Sequence, residues 1–413
     1  MKIAILGFGK EGKSVLQFLK KSQRYKGAQI AILDQNRDKD YLKYLGDYDL
    51  VIKSPGVPYS LPEIVRARAN GVLFTSATAL FFDHAQGLII GITGTKGKGT
   101  TAMLLYRMLK SCKKNVHLAG NIGIPMLDML PKLNKNSIVV LELSSFQLDH
   151  LLFSPRIAVV LDIFPDHLDV HTSFDEYVEA KAQIVANQGR ADVVFYFPAN
   201  ELASSVAKRS HGKKIAIKPE RFNLFYRDDM RMLGAHNFQN AVMAASVALY
   251  LECAPSKVRA AACLFRGNPL RLEHIRVLRG ISFYNDSAST NPPAAAAAIR
   301  AFDTPTVLIA GGRDKGFPYD TLHDAASWPA LQYIVLVGEN TLKLKKSFSG
   351  KDVTIARSLE KAVSAAWRYA LKKRKKGEKW NIVYSPGAAS FDMFKNYTER
   401  GKAFNRIVKK LKV

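Results

Sequence analysis

Leu88-Ile-Ile-Gly91-Ile-Thr-Gly94-Thr95-Lys96-Gly97-Lys98-Gly99-Thr100-Thr101 is a short apolar run that breaks into glycines and leads into the helical stretch Ala102 to Lys110. Glycines in such a strand-to-helix turn let backbone N–H groups approach phosphate oxygens. The helix N-terminus adds partial positive charge, and Lys98 is within reach of terminal phosphates. The pattern is looser than the strict G-x-x-x-x-G-K-[ST] loop, because Ile92 stands where its first glycine belongs. On this segment alone, an ordinary strand-to-helix turn is the competing reading.

Downstream, Glu142 follows a buried strand in Leu141-Glu142-Leu143-Ser144-Ser145-Phe146-Gln147. A carboxylate at the C-terminal end of a parallel strand lies where open α/β sheets bind ligands, and there it suits a Mg²⁺ that bridges nucleotide phosphates. Asp166-His167-Leu168-Asp169 follows the next strand and offers a second group of metal-type ligands. The strand-like runs Ile3–Leu6, Ile30–Leu33, Leu88–Ile90, Ile138–Leu141, Ala158–Leu161, Thr306–Ile309 and Ile334–Val337 are β-branched and separated by helix-length stretches. Strands apolar on both faces point to parallel sheets covered by helices, so the fold class is α/β. Ala294 to Ala298, after Pro292-Pro293, reads as a helix start. Three units are expected, with limits at 1–86, 87–267 and 268–413.

The first unit opens with Gly7-Phe8-Gly9-Lys10-Glu11-Gly12, an intact GxGxxG after a strand, and Asp34 ends the next strand. Taken alone, that pairing reads as a dinucleotide site and an NAD-dependent enzyme.

Composition bounds the rest. The chain has 413 residues, 47% hydrophobic, enough for two or three cores. It shows no apolar stretch of membrane-spanning length. Met1 to Gly12 has no basic leader, so no secretion signal is expected. Cys112, Cys253 and Cys263 match no metal or disulfide spacing. They are expected to be buried thiols in a reducing cytoplasm. The net charge of +26 fits either nucleic-acid binding or the gathering of anionic small substrates. The densest run, Lys372 to Lys376, lacks interleaved aromatics and reads as a solvated helix end before a strand at Trp380–Tyr384.

The order of motifs resembles the Mur ligase family. GTKGKGTT is followed by GNIGIP at Gly120 to Pro125, then LELSSFQLD, DHLD, HTSFDEYVEAK and Gly234-Ala-His236-Asn237-Phe-Gln-Asn240. In the last third, Asn285 to Asn291, Gly311 to Gly316 and Ser385 to Tyr397 are similar to motifs of the branch that adds D-glutamate. The resemblance runs from one end of the chain to the other.

It implies three domains: a Rossmann-like N-terminal domain, a central P-loop ATPase-like domain and a Rossmann-like C-terminal domain. It also implies an ATP-dependent ligase that joins D-glutamate to UDP-N-acetylmuramoyl-L-alanine through an acyl-phosphate; a monomer in the cytoplasm is expected beside it. By the same resemblance, Gly94, Thr95, Lys96, Gly97, Lys98, Gly99 and Thr100 hold ATP phosphates. Asn237 and Asn240 meet adenine, and Arg271 and Asp286 face the nucleotide. Glu142, His167 and Lys181, the last matching a lysine that carries a carbamate, serve two Mg²⁺ sites, and Lys98, Glu142, His167 and Lys181 form the catalytic set; apart from the resemblance, Thr100, next to Gly99, is the candidate hydroxyl for the metal. The GxGxxG loop (Gly7, Gly9, Gly12) takes the UDP diphosphate instead of NAD, with Asp34, Gln35, Ser54, Pro55, Gly56 and Asn121 completing that site. Thr290, Lys315, Ser390 and Tyr397 match positions that hold D-glutamate.

Three positions depart from the pattern. Gly99 replaces a Ser or Thr whose hydroxyl ligates Mg²⁺, Ala288 replaces a lysine, and Leu270 replaces a histidine. An active enzyme with altered metal affinity or slower turnover is expected. Two alternatives are a family ligase adding another amino acid, including a folylpolyglutamate-synthase-like enzyme, and a binding protein for nucleotides or nucleic acid that has lost catalysis.

Overall fold

The computed structural model describes residues 1–121, 123–165, 171, 173–232 and 234–412. It contains three sheets. The first is all parallel, in the order β2-β1-β3-β4, with β1 Lys2–Leu6, β2 Gln29–Leu33, β3 Leu50–Lys53 and β4 Leu73–Ser76. The second, also parallel, runs β10-β9-β8-β5-β7-β6. Its strands are β5 Leu88–Thr93, β6 Val116–Gly120, β7 Ile138–Glu142, β8 Ile157–Val160, β9 Val193–Tyr196 and β10 Lys213–Ala216.

The third runs β11-β12-β16-β13-β14-β15. It comprises β11 Glu273–Leu278, β12 Ile281–Asn285, β13 Thr306–Ala310, β14 Leu331–Val337, β15 Val353–Ala356 and β16 Trp380–Tyr384. Only β11 is antiparallel in this sheet. Chain contacts divide the molecule into two compact units, 1–224 with 239–262 and 225–238 with 263–413. The first unit holds the first two sheets and the second holds the third.

The central strands are buried on both faces, as the continuous apolar runs require. Ile3, Ala4, Ile5 and Leu6 are fully buried, as are Val139, Val140 and Leu141 of β7. The helix Lys98–Ser111 turns Ala102, Leu105, Met108 and Leu109 to the interior, a spacing of three and four that places them on one face. It begins four residues before the expected Ala102, because Gly97 provides a left-handed cap at φ +86°.

The helix at the alanine run starts at Pro292, with the Asn291 side chain accepting from Ala294 N. The helix Leu359–Lys373 ends in the basic run, and Lys372, Lys373, Lys375 and Lys376 are exposed. The thiols differ from expectation. Cys253 alone is buried, while Cys112 and Cys263 are half-buried, because Cys112 lies at a helix C-terminus and Cys263 near the end of the helix Pro255–Leu264. No helix among the described residues is long and apolar enough to cross a membrane.

Candidate active site

β5 lies between β8 and β7 in the second sheet, and the phosphate loop leaves its C-terminal end. Gly94 and Gly97 have φ of +143° and +86°. A Cβ on Gly94 would meet Leu161 Cβ at 2.7 Å, and one on Gly97 would meet Asn240 Oδ1 at 2.3 Å. Both glycines are therefore required by backbone conformation and by space. Thr95 N donates to Asp162 O at 2.8 Å, and Phe164 N donates to Thr95 Oγ1 at 2.9 Å. Tyr177 OH and Thr95 Oγ1 are 3.0 Å apart. The loop is thus tied to the end of β8 and to the helix Phe174–Ala186. Lys98 Nζ donates to the carbonyls of Gly94 (3.1 Å) and Thr95 (2.9 Å). Lys181, fully buried on that helix, donates to the same Gly94 carbonyl at 2.9 Å, with its ammonium 4.4 Å from the Tyr177 ring centre. Lys96 is exposed, and Gly99 and Thr100 are half-buried in the first helical turn.

Glu142 is buried at the C-terminal end of β7, in register with Ile92 of β5. Asn121 N donates to Glu142 O at 3.0 Å, which fixes Asn121 beside that carboxylate's backbone. Asn240, on the helix Ala235–Tyr250, accepts from Thr101 Oγ1 at 3.3 Å and packs against Gly97. It therefore supports the phosphate loop from behind. Asn237 lies one turn earlier on the same helix.

His167 lies outside the described residues. Those described hold no group of three or more His, Cys, Asp or Glu side chains suited to a metal. Glu142 is a hard carboxylate one strand from the phosphate loop, whereas the Lys181 ammonium donates and cannot coordinate. This donor set fits Mg²⁺, which takes one or two carboxylates and leaves its other positions to phosphates and water.

A second glycine loop lies at the end of β1. Gly7, Gly9, Asp34, Gln35, Ser54, Pro55 and Gly56 line a pocket of about 560 Å³. Gly12 lies beneath it, where a Cβ would meet Gly7 O at 2.3 Å. Asp34 Oδ2 accepts from Phe8 N at 2.6 Å and Oδ1 from Asn36 N at 2.9 Å, and these amides hold the carboxyl below its usual range. Ser54 Oγ donates to Gly7 O at 2.8 Å.

Sequence reasoning missed two charged groups here. Burial pushes the Glu11 carboxyl up, and it accepts from Gln147 Nε2 at 2.8 Å. Burial pushes the Lys53 ammonium down to about 8; it donates to Val57 O at 2.6 Å and lies 4.3 Å from the Tyr59 ring centre.

In the second unit the expected D-glutamate residues follow the C-terminal ends of β12, β13 and β16. Thr290 is half-buried, Ser390 is buried, and Lys315 and Tyr397 are exposed. Lys315 Nζ lies 6.0 Å from the Phe391 ring centre. The loops after β12 and β16 share an anchor absent from the sequence expectations. Arg400 is fully buried and donates to Ser287 O, Ala388 O and Ala389 O, each at 3.0 Å. Asp286 is also buried and joins the Arg271 turn to β16. Leu270 and Leu272, on either side of Arg271, have φ of +63° and +42°. Leu270 packs on Gly401, where a Cβ would meet its Cδ2 at 2.4 Å, so the departure at 270 fills space that Gly401 leaves.

Residues 92–248 match the Mur ligase middle domain. The UDP-N-acetylmuramoylalanine--D-glutamate ligase of Acetivibrio thermocellus is 35% identical over 94% of this chain and 87% of its own length. The ligase of the same name from Koribacter versatilis is 32% identical over 99% of this chain and 97% of its own. Among solved structures, the MurF ligase of Thermotoga maritima in complex with ADP superimposes with a TM-score of 0.59 at 15% identity, covering 99% of this chain and 95% of that one, a likeness of fold. At that identity and over that length, the chain belongs to the Mur ligase family, among the UDP-N-acetylmuramoylalanine--D-glutamate ligases.

Proposed function

We propose that this chain is an ATP-dependent ligase that joins D-glutamate to UDP-N-acetylmuramoyl-L-alanine, a step of peptidoglycan precursor synthesis. The observation that carries the reading is identity of about a third, over nearly the whole chain, to ligases of that name. The chemistry follows from the substrates. A carboxylate is a poor electrophile, so its oxygen first attacks the γ-phosphorus of ATP and releases ADP. The D-glutamate amine then attacks the acyl carbon, loses a proton and expels phosphate. The central problem is charge on the transferring phosphoryl group, which fixed cations and backbone N–H groups stabilise. Lys98, held at the loop by two carbonyls, supplies such a cation. Asn240 and Tyr177 keep the loop from shifting as that charge moves.

Glu142, His167, Thr100 and a carbamate on Lys181 are the residues proposed to hold Mg²⁺, which when bound neutralises phosphate charge and orients the γ-phosphate. A carbamate would convert the Lys181 head from donor to anionic oxygen ligand. The pocket at Gly7, Asp34 and Ser54 takes the UDP end, and Thr290, Lys315, Ser390 and Tyr397 take D-glutamate. The domain limits 1–86, 87–267 and 268–413, a monomeric state and a cytoplasmic location belong to the same proposal.

Phosphate release from Mg-ATP is the test, measured with UDP-N-acetylmuramoyl-L-alanine with and without D-glutamate, beside a panel of other amino acids. Release that requires both substrates supports the reading. Release with a different amino acid moves the chain to another specificity, and none with any amino acid from folded protein removes the ligase reading.

A further inference from the structure

Asp286 begins the loop after β12 and is buried, yet both of its oxygens are engaged by other segments. Leu272 N donates to Oδ1 at 3.1 Å, and Ser385 Oγ donates to Oδ2 at 2.6 Å. The Asp286 amide in turn donates to Tyr384 O at 2.7 Å. One carboxylate thus ties together the ends of β12 and β16 and the turn that carries Arg271. Leu270 and Leu272 in that turn both sit in the left-handed region, where a side chain other than glycine is strained, and Glu273 Oε2, which accepts from Leu270 N at 3.0 Å, is the second carboxylate that holds it. Ser385 is fully buried, so its hydroxyl has no solvent to turn to.

We propose that Ser385 is a positioning residue whose hydroxyl fixes the Asp286 carboxylate, and through it the Arg271 turn, for nucleotide binding. The proposal rests on the reading above that Asp286 and Arg271 face the nucleotide.

The hydroxyl has a second consequence. Burial pushes the Asp286 carboxyl up to about 6, while Ser385, the Leu272 amide, the charge on Arg271 and, least, the Ser289 hydroxyl pull it back down. Without the hydroxyl, the carboxylate loses its shortest donor and protonates at higher pH. A protonated Asp286 is a weaker acceptor for Leu272 N and no longer attracts Arg271.

The test is the pH dependence of binding of a non-hydrolysable ATP analogue with Mg²⁺, from pH 5 to 9, by full-length wild type, Ser385→Ala and Asp286→Asn. Wild type is expected to lose affinity below about pH 6. Ser385→Ala should move that midpoint upward by about one pH unit, then recover wild-type affinity within about twofold above pH 8.5. A purely structural role would lower affinity equally at every pH. Asp286→Asn should bind weakly without the acid limb. If Asp286→Asn removes the limb but Ser385→Ala keeps the wild-type midpoint, the proposal is overturned while the nucleotide reading stands. If Asp286→Asn binds like wild type with the limb intact, the nucleotide reading of Asp286 fails first. Should Ser385→Ala not unfold cooperatively, Ser385→Cys, similar in size but a weak donor, takes its place with the same expected shift.

Discussion

Two glycine loops in the first unit share one backbone plan and differ in the acids beside them. Gly7–Gly12 and Gly94–Gly99 each leave a central parallel strand and open a helix, Lys10–Lys21 and Lys98–Ser111. Each uses a glycine with positive φ to turn. In the first loop, the protein supplies its own anion. Asp34 takes the Phe8 amide, and Glu11 stands in the first helical turn. In the second, the first turn carries no acid, and Lys98 and Lys181 converge on the Gly94 carbonyl. A helix N-terminus attracts anions in either case. What its neighbours present decides whether it becomes a site for a reacting triphosphate or a shaped seat for a diphosphate that stays intact.

The sharpest way to break that contrast is to remove each loop's own charge. Lys98→Ala should lower ATP turnover by about 10²–10³-fold or more. Binding of the UDP substrate to the first pocket, measured by equilibrium dialysis, should stay unchanged. Loss of both would mean the two loops are not separate in function. Asp34→Ala should do the converse. With the Phe8 amide released, KM for the UDP substrate is expected to rise about tenfold, while KM for ATP holds. Equal rises in the two constants would show that Asp34 supports the whole unit and not one loop.

Much of this was legible because it is local. Gly94, Gly97, Gly7 and Gly12 are fixed by φ or by a Cβ clash within a few residues or with the adjoining strand, and such demands leave glycines at readable spacings. The apolar runs announced the parallel sheets for the same reason. β11 carries no readable pattern, since half-exposed Glu273, His274 and Arg276 interrupt it at the sheet edge. Arg400 carries no local signature either. Its partners Ser287, Ala388 and Ala389 are assembled only by the fold, and a basic residue in an amphipathic helix normally points to water. The Asp286–Ser385 bond spans 99 positions and carries no local signature. Asn240 lay in a motif that could be seen, but its support of Gly97 from behind could not.

Within the second loop, Gly99 offers a finer test. The strict phosphate loop places a Ser or Thr hydroxyl on Mg²⁺ at this position. Restoring it with Gly99→Ser should shift the Mg²⁺ titration of nucleotide binding several-fold toward lower concentration, by an amount comparable to one added oxygen ligand. An unchanged titration would mean that Thr100 or the carboxylate already fills that role.

The last effect, on stability and not on catalysis, concerns what the first loop tolerates beneath it. Lys53 is buried, and its ammonium titrates near 8 in the folded chain against 10.5 for an ordinary lysine. Between those values the unfolded chain binds more protons than the folded one, so stability rises with pH across that window. Below pH 8 both states are charged, and the folded state carries the full cost of the buried cation. The difference of about 2.5 units corresponds to roughly 3 kcal/mol. That figure is net, because the charges of Asp149 and Glu11 already offset part of the burial cost. Lys53→Met should therefore unfold at a urea concentration equal to or above wild type at pH 7. The wild type should gain on the variant as pH rises from 8 to 10.5. A difference that stays constant over that range would mean that burial does not lower the Lys53 pKa.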